Sequence, residues 1–241
     1  MRDKHHLLLP EIGGQGIKRL AAAKVVVVGA GGLGCPILAY LGAAGVGHLT
    51  IIDGDEVETS NLQRQILYTE ADVGRPKAIA AARRLRAQHS GIEVRPVPQM
   101  LTAENGLSLI EGADLIVEGI DRIAGRHLIN RLSREAKIPL LSSAASRFEG
   151  QVTLFDPSDA NSACYACLVP EDAEEDGLCD RDGVLGPVVG AVGSLAAIET
   201  IKFLCDVQPI LSGHMLTADL RTGEVRRVGL PRDPGCSVCG G

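Results

Sequence analysis

Short apolar runs alternate with amphipathic segments along the first 145 residues. Helical segments are predicted after the first four runs, at 33–44, 77–88 (with Pro76 at its first position), 103–111 and 122–136. The runs themselves have the length of buried strands and lie at 25–28, 49–52, 92–97, 114–117 and 139–141. The first is four consecutive valines, which is typical of a parallel strand covered on both faces. This alternation predicts an α/β fold with a parallel sheet.

The pattern changes after about residue 145. A strand is predicted at 151–155, a helix at 194–205, and two further strands at 215–220 and 223–228 around a turn at Arg221-Thr222. Strands joined by a tight turn pair antiparallel. We therefore expect a Rossmann-like, mostly parallel sheet flanked by helices and extended by antiparallel strands. Residues 1–145 and 146–241 are expected to be two halves of a single domain.

Composition and charge exclude several classes of protein. The 241 residues include only six aromatic side chains and no Trp, so a protein that stacks single-stranded bases is excluded. The net charge of −6 argues against a nucleic-acid partner, which requires a basic face. Residues 25–52 carry no Asp, Glu, Lys or Arg and are long enough to span a bilayer, but their seven glycines and Pro36 favour strand, turn, helix and strand. No membrane or secretory segment is expected, which predicts a cytoplasmic protein.

A glycine-rich turn follows the first strand. Gly29, Gly31, Gly32 and Gly34 satisfy the pattern G-x-G-x-x-G before a predicted helix, where backbone N–H groups and the helix N-terminus attract phosphates. Asp53 ends the next strand, where a carboxylate can accept ribose hydroxyls. The alternative is a glycine turn needed only for packing. Taken alone, the turn allows NAD and ATP equally.

Two more polar residues bear on that choice. Asp121 follows the fourth strand and should face the same crevice, where a carboxylate together with phosphates can hold Mg²⁺. Lys77 begins a predicted helix and can direct its ammonium at phosphates. The alternatives are a helix-capping Asp121 and a solvated Lys77.

Several short motifs, in a fixed order along the chain, indicate a protein family. Asn61-Leu62-Gln63-Arg64-Gln65 and Val73-Gly74-Arg75-Pro76-Lys77 lie between the second strand and the next helix. Further motifs are Arg147-Phe148-Glu149-Gly150-Gln151, Cys164-Tyr165-Ala166-Cys167-Leu168, Gly186-Pro187-Val188-Val189-Gly190 and Pro234-Gly235-Cys236-Ser237-Val238-Cys239. From about Leu8 to the C-terminus, the chain resembles the ThiF/MoeB/HesA family, bacterial relatives of the ubiquitin-activating enzymes.

The resemblance implies ATP-dependent adenylation of the C-terminal glycine of a ubiquitin-like sulfur carrier ending in Gly-Gly. It implies a homodimer, a nucleotide-binding half at 1–145 and a carrier-binding, zinc-containing half at 146–241. Gly32 would line the ATP site and Asp53 would bind the ribose. The phosphates and Mg²⁺ would be bound by Asn61, Arg64, Lys77 and Asp121, with Gln63 shaping the site. Fixed cations of this kind stabilise charge that develops on the reacting phosphates.

Two positions depart from the family pattern. His5 stands where the family usually has an arginine that reaches the ATP of the neighbouring subunit, and imidazole is mostly neutral at pH 7. Arg122 stands where Asp is usually followed by Asn. A non-catalytic homologue that only binds the carrier is therefore one alternative function. An NAD-dependent oxidoreductase is the other.

The cysteines carry a separate prediction. Two C-x-x-C pairs, Cys164 with Cys167 and Cys236 with Cys239, provide four thiolates for a structural Zn²⁺ site, provided that the fold brings the pairs together, as the resemblance implies. The alternatives are a redox pair and unpaired core cysteines. Cys179 matches a position that carries a cysteine implicated in a covalent link to the carrier in ThiF-like members, and a thiolate there would attack an acyl-adenylate. MoeB-like members also have a cysteine at this position, and for them adenylation alone can suffice.

Overall fold

The computed structural model describes residues 2–172 and 183–240. Its centre is an eight-stranded sheet in the order β3-β2-β1-β4-β5-β6-β7-β8. The strands are β1 Lys24–Val28, β2 His48–Ile52, β3 Glu93–Val97, β4 Leu115–Glu118, β5 Leu140–Ser146, β6 Glu149–Phe155, β7 His214–Asp219 and β8 Glu224–Gly229. The first five pair in parallel and the last three antiparallel. The predicted fold class is therefore confirmed.

Eight α-helices are present in the described part of the chain. They are α1 Lys4–Leu7, α2 Gly13–Ala22, α3 Gly34–Ala44, α4 Lys77–Gln88, α5 Ala103–Ile110, α6 Ile123–Ala136, α7 Tyr165–Leu168 and α8 Gly186–Cys205. The strand order reverses between β1 and β4, which both pair in parallel, so a crevice opens where the chain leaves their C-terminal ends.

Several element boundaries differ from the sequence-based expectations. Helix α8 begins at Gly186, eight residues before the expected start, and β5 has seven residues where three were expected. Pro76 caps α4 in an extended conformation and is not the first helical residue. Helices α1, α2 and α7 were not predicted. Helices α1 and α7 have only four residues each, too few to show a period, and α2 has three glycines among its first four residues, which lower helix propensity.

Aliphatic side chains form the core on both faces of the sheet. All four valines of β1 are buried, as predicted for a central parallel strand. Helix α8 packs against α2, α3, β5 and β6. Among the described helices it alone has the length and apolar content to cross a membrane, and half of its most apolar stretch is buried inside the protein. The uncharged segment 25–52 divides into β1, α3 and β2 as predicted.

Candidate nucleotide site and cysteine cluster

A cleft of about 1430 Å³ opens at the C-terminal ends of the parallel strands. It runs from the glycine turn after β1 to the surface of β6, β7 and β8. Most of the residues singled out in the sequence line it: Gly29, Gly31, Gly32, Asp53, Asn61, Gln63, Arg64, Lys77 and Asp121. Positions up to 92 residues apart in sequence thus meet in one cavity.

The glycine turn and Asp53 are joined by hydrogen bonds. The N–H of Ala30 donates to Asp53 Oδ2 at 2.7 Å, and the N–H of Asp55 donates to Oδ1 at 2.9 Å. Burial raises the pKa of Asp53, and these two N–H groups oppose the rise. The Tyr68 hydroxyl donates to the carbonyl of Ala30 at 2.8 Å and fixes the other side of the turn.

Two glycines of the turn are required by the backbone. Gly29 has φ +93°, which a residue with a Cβ rarely adopts. Gly34 begins α3, and a side chain there would collide with the carbonyl of Gly29. Gly34 does not line the cleft, and this contact gives it a packing role; its contact with the nucleotide stays a prediction. Gly31 and Gly32 lie on the cleft wall, where a ligand can approach the backbone.

Lys77 is buried, and its Nζ lies 2.9 Å from Asp55 Oδ2. The backbone N–H of Lys77 also donates to the carbonyl of Asp55. Lys77 is therefore not a solvated lysine. Asp55 was not predicted as the partner of Lys77. The signal in the sequence was a second acid, two residues after Asp53 at the end of β2. The Asp55 carboxylate is largely exposed, so phosphate oxygens entering the cleft can compete with it for the ammonium.

The segment after β2 brings the remaining polar groups to the cleft. Asn61 is buried and accepts the N–H of Glu58 at 3.2 Å, while Arg64 donates to the carbonyl of Ser60 at 3.2 Å. Gln65 is also buried and lines the cleft. Its Oε1 has no hydrogen-bond partner among the described residues. An unpaired buried amide oxygen favours a ligand that donates a hydrogen bond, and Gln65 was not singled out for that role.

Asp121 lies between the end of β4 and the start of α6, exposed at the cleft. Arg122 lies beside it and also lines the cleft. The wall near them is aliphatic and includes Ile52, Leu101 and Ile120. Tyr165 is the aromatic residue among the described lining residues, and it is buried. A purine base would thus pack mainly on aliphatic side chains. His5 lies on α1, exposed, and does not line the cleft of this single chain.

The four cysteines of the two C-x-x-C pairs form a second site. The sulfurs of Cys164, Cys167, Cys236 and Cys239 lie within 4.8 Å of one another. Cys164 and Cys236 are 3.7 Å apart and Cys167 and Cys239 3.4 Å, too far for disulfides. Four thiolates at about 2.3 Å from one Zn²⁺ are separated by about 3.8 Å in a tetrahedron. The fold therefore brings the two pairs together, and the cluster fits a metal ion.

The electrostatics differ among the cysteines of this cluster: burial raises the pKa of Cys164 and of Cys239, whereas the pKa of Cys236 is lowered. Burial raises the pKa of Cys236, but hydrogen bonds from the backbone N–H groups of Cys239 and Val238 outweigh burial and lower it to about 7. Ser237 Oγ donates to Glu171, which also pairs with Arg131 at 2.6 Å. The C-terminal pair is thus fastened to the segment after α7. Cys179 lies outside the described residues.

A glycine turn, a half-buried carboxylate at the end of the adjacent strand and the cations Arg64 and Lys77 in one cleft define a nucleotide-binding α/β protein. The chain belongs to the ThiF family, which it matches over residues 4–238.

Individual relatives agree with this assignment. The chain is 41% identical to the sulfur carrier protein adenylyltransferase of Thermus thermophilus, over 99% of the chain and 90% of that protein. It is 42% identical to the adenylyltransferase and sulfurtransferase MOCS3 of Sus scrofa, and spans only 53% of that protein's length. The structure of MccB of E. coli with AMPCPP and MccA superposes with a TM-score of 0.82, at 25% identity, over 94% of this chain and 69% of MccB.

Proposed function

We propose that the protein is an ATP-dependent adenylyltransferase that acts on the C-terminal carboxylate of a ubiquitin-like sulfur carrier ending in Gly-Gly. One observation carries the proposal: Asp53, Arg64, Lys77 and Asp121 line the same cleft as the glycine turn. The names of the relatives support the reaction, and a structure of MccB that holds ATP has a TM-score of 0.81 to this chain.

We infer a role in that reaction for each residue. The carrier carboxylate attacks the α-phosphorus of ATP, the bond to the β-phosphate breaks, and pyrophosphate leaves. Asp53 accepts ribose hydroxyls, while Gly31, Gly32 and Asn61 shape the phosphate site. Arg64 and Lys77 stabilise the charge on the departing pyrophosphate. Asp121 would hold Mg²⁺, which would supply Lewis-acid stabilisation of the phosphates. The attacking carboxylate is already ionised, so no general base is required.

The far end of the cleft suits an extended peptide tail. It is lined by side chains from β6 and β7, including Gln151 and Thr217, and by Glu224 and Arg226 of β8. A carrier tail that enters from this side reaches the glycine turn with its terminal glycine. The cavity is continuous over this distance, so the tail and ATP can be bound at the same time.

Finer features of the protein belong to the same proposal. The four-cysteine cluster holds a structural Zn²⁺ that has no open position for catalysis. Reduced thiols of this kind agree with a cytoplasmic protein. Helices α3 and α8 pack together and leave Tyr40 and Ile198 exposed, which supports a homodimer through this region. The two halves of the chain act as one unit on one sheet.

Cys179 provides a covalent step after adenylation. Its thiolate attacks the acyl carbonyl of the adenylate, the bond to AMP breaks, and a thioester with the carrier forms. Cys179→Ala is expected to retain ATP–pyrophosphate exchange and to lose a carrier adduct that added thiols or hydroxylamine cleave by acyl transfer. An adduct that persists in this variant would exclude the step.

The decisive test is ATP–pyrophosphate exchange with a purified carrier that ends in Gly-Gly. Wild type is expected to exchange, and Asp121→Ala to lose about 100-fold or more of the rate. The matched control is Asp114→Ala, because Asp114 lies at the opposite end of β4, where it accepts the N–H of Lys24. No exchange with any carrier, together with complex formation, would instead favour a binding-only homologue, in which His5→Arg can be tested for restored activity. Binding of NAD without ATP would indicate an oxidoreductase.

A further inference from the structure

A buried ion pair lies directly behind the turn that carries Asp121. Glu118 is the last residue of β4, and Arg126 is on the first turns of α6. Both are almost fully buried, and Arg126 Nε lies 3.8 Å from Glu118 Oε2. A buried ion pair is a poor source of stability, because both charges lose their hydration. Its presence at this place therefore calls for another explanation.

The pair holds both backbone polar groups of one residue, Ile120. Glu118 Oε2 accepts the backbone N–H of Ile120 at 3.1 Å. Arg126 donates to the carbonyl of Ile120 from Nε at 3.1 Å and again from Nη2. Ile120 is the residue immediately before Asp121. The two charged side chains thus fix its backbone from both directions.

The pair is itself anchored to the next strand of the sheet. Arg126 Nη2 donates to the carbonyl of Ser143 at 2.9 Å, and Ser143 Oγ donates to the carbonyl of Glu118 at 2.9 Å. Ser142 Oγ donates to the Glu118 carboxylate. These bonds connect the end of β4, the start of α6 and the middle of β5. Through these hydrogen bonds, the position of the Ile120 backbone is fixed relative to β5 in the sheet.

The same turn also contacts the glycine turn. A Cβ built on Gly29 would lie 2.9 Å from Ile120 Cγ2 and 3.2 Å from the carbonyl oxygen of Gly119. A shift of Ile120 would move both the aliphatic wall of the cleft and the Asp121 backbone. Since neither Glu118 nor Ser142 lines the cleft, their effect on a ligand must pass through Ile120 and Arg126.

We infer that Glu118 and Arg126 are positioning residues that fix the Gly119–Asp121 turn, so that the Asp121 carboxylate is held at the phosphate end of the cleft. The inference rests on the proposed adenylation. It predicts that disturbing the pair changes the use of Mg²⁺ and ATP more than it changes folding. Residues that orient a metal-binding carboxylate in this way typically contribute 10- to 100-fold, as a general order of magnitude.

The test uses Arg126→Lys, which keeps the charge and removes the planar contact to two carbonyls. We expect the kcat of ATP–pyrophosphate exchange to fall about 10- to 100-fold and the Mg²⁺ concentration for half-maximal rate to rise about tenfold. Hydrogen exchange of the Ile120 amide, measured without nucleotide, should accelerate at least about tenfold. Arg134→Lys and Glu135→Gln on the same helix, away from the cleft, should match wild type.

Glu118→Gln provides the second variant, since it retains an acceptor for the Ile120 N–H and loses the charge. It should fold and show a smaller change of the same kind. Kinetics and amide exchange within about twofold of wild type in folded variants would overturn the inference. So would a failure of both variants to fold, because the pair would then act on stability alone. If wild type shows no exchange with any carrier, the proposed function fails, and amide exchange still decides whether the pair fixes the turn.

Discussion

The nucleotide cleft and the cysteine cluster are built on opposite principles. In the cleft, three of the polar side chains described above already have partners within the chain: Asp53 accepts two backbone N–H groups, Lys77 pairs with Asp55, and Arg64 donates to a carbonyl. In the cluster, four sulfurs face one another, and three of the four cysteines are buried. The first site is thus largely formed by the chain itself, with the buried Gln65 Oε1 as the exception among the described residues. In the second site the thiolates would repel one another once ionised, so we predict that a cation joins them.

This difference predicts what is lost when each site is broken. Removing a side chain from the cleft should cost catalysis and leave the fold nearly unchanged. Removing a cysteine should cost structure in the second half and leave nucleotide binding in the first half. The two halves share one sheet, so the experiments below can contradict the distinction as well as refine it.

The largest expected effect is that of Cys236→Ser. Loss of one thiolate should abolish stoichiometric zinc and remove at least about 5 kcal/mol of local stability, given the roughly 10 kcal/mol or more that metal binding supplies in small zinc domains. The C-terminal segment beyond β8 should become sensitive to protease, as zinc analysis and limited proteolysis will show. Cys205→Ala is the control, because Cys205 is buried outside the cluster. Equal nucleotide affinity in Cys236→Ser and wild type would show that the two sites are independent, and a parallel loss of affinity would show that they are coupled.

Lys77→Met is expected to have the next largest effect. Without its ammonium, the rate of ATP–pyrophosphate exchange should fall about 100- to 1,000-fold, which is about 3–4 kcal/mol of transition-state stabilisation. Unfolding should change little, because the carboxylate left behind, Asp55, is 64% exposed and remains hydrated. Lys18→Met, at an exposed position on α2, is the matched control. A large fall in melting temperature with activity retained would assign Lys77 to the scaffold.

The features that were predicted correctly from the sequence are those determined by residues close together in the chain. The valine strand, the glycine turn and the acid after β2 all lie within one βαβ segment, and their predicted boundaries agree with the structure to within a residue or two. Asp121 was placed in the crevice because parallel strands end at the same edge of a sheet. The two cysteine pairs are separated by 68 residues. That they form one site was predicted from the family resemblance, because nothing local in the sequence indicates a contact over that distance.

The parts that were missed depend on tertiary contacts. Helix α8 begins in a stretch with Gly186, Gly190 and Gly193, which lower helix propensity. Gly193 nevertheless belongs in the helix, because a side chain there would collide with Pro36 of α3. Close packing of two helices thus overrides local preference. The pairs Lys77–Asp55 and Glu118–Arg126 were missed for a related reason: each joins elements that only the folded sheet brings together.

A smaller effect on stability is expected from truncating one valine in the core of the first half, and a still smaller one from truncating a valine at the sheet edge of the second half. Val27 on β1 is fully buried, and Val225 on β8 is 50% exposed. Val27→Ala should lower the free energy of unfolding by about 2 kcal/mol, and Val225→Ala by less than about 0.5 kcal/mol. Chemical denaturation of the zinc-loaded protein measures both. Equal losses would show that β8 is covered in solution, for example by a second copy of the chain.

The smallest expected effect lies within the nucleotide half, where two carboxylates should respond to pH in opposite senses. Burial raises the pKa of Asp53 at the site. For Asp72 in the scaffold, burial is outweighed by the N–H and hydroxyl of Thr69 and by Arg83 and Arg75, which lower its pKa. A raised pKa means that the folded protein binds more protons than the unfolded chain between the two pKa values. Stability from Asp53 therefore declines as pH rises above its unfolded value of 3.8. Stability from Asp72 increases as pH rises toward that value and is lost on acidification.

The measurement compares wild type with Asp53→Asn and with Asp72→Asn in denaturation series from acid to neutral pH. Each unit of pKa difference corresponds to about 1.4 kcal/mol. The stability of wild type relative to Asp53→Asn should fall with rising pH, and that relative to Asp72→Asn should rise. In both variants the Asn side-chain amide can place an N–H donor against a backbone N–H, which lowers stability. That loss of stability does not depend on pH, so it leaves the slope of stability against pH unchanged for each variant. If both relative stabilities changed with pH in the same direction, Asp53 would not be electrostatically strained. Its carboxylate would then play the same structural role as that of Asp72.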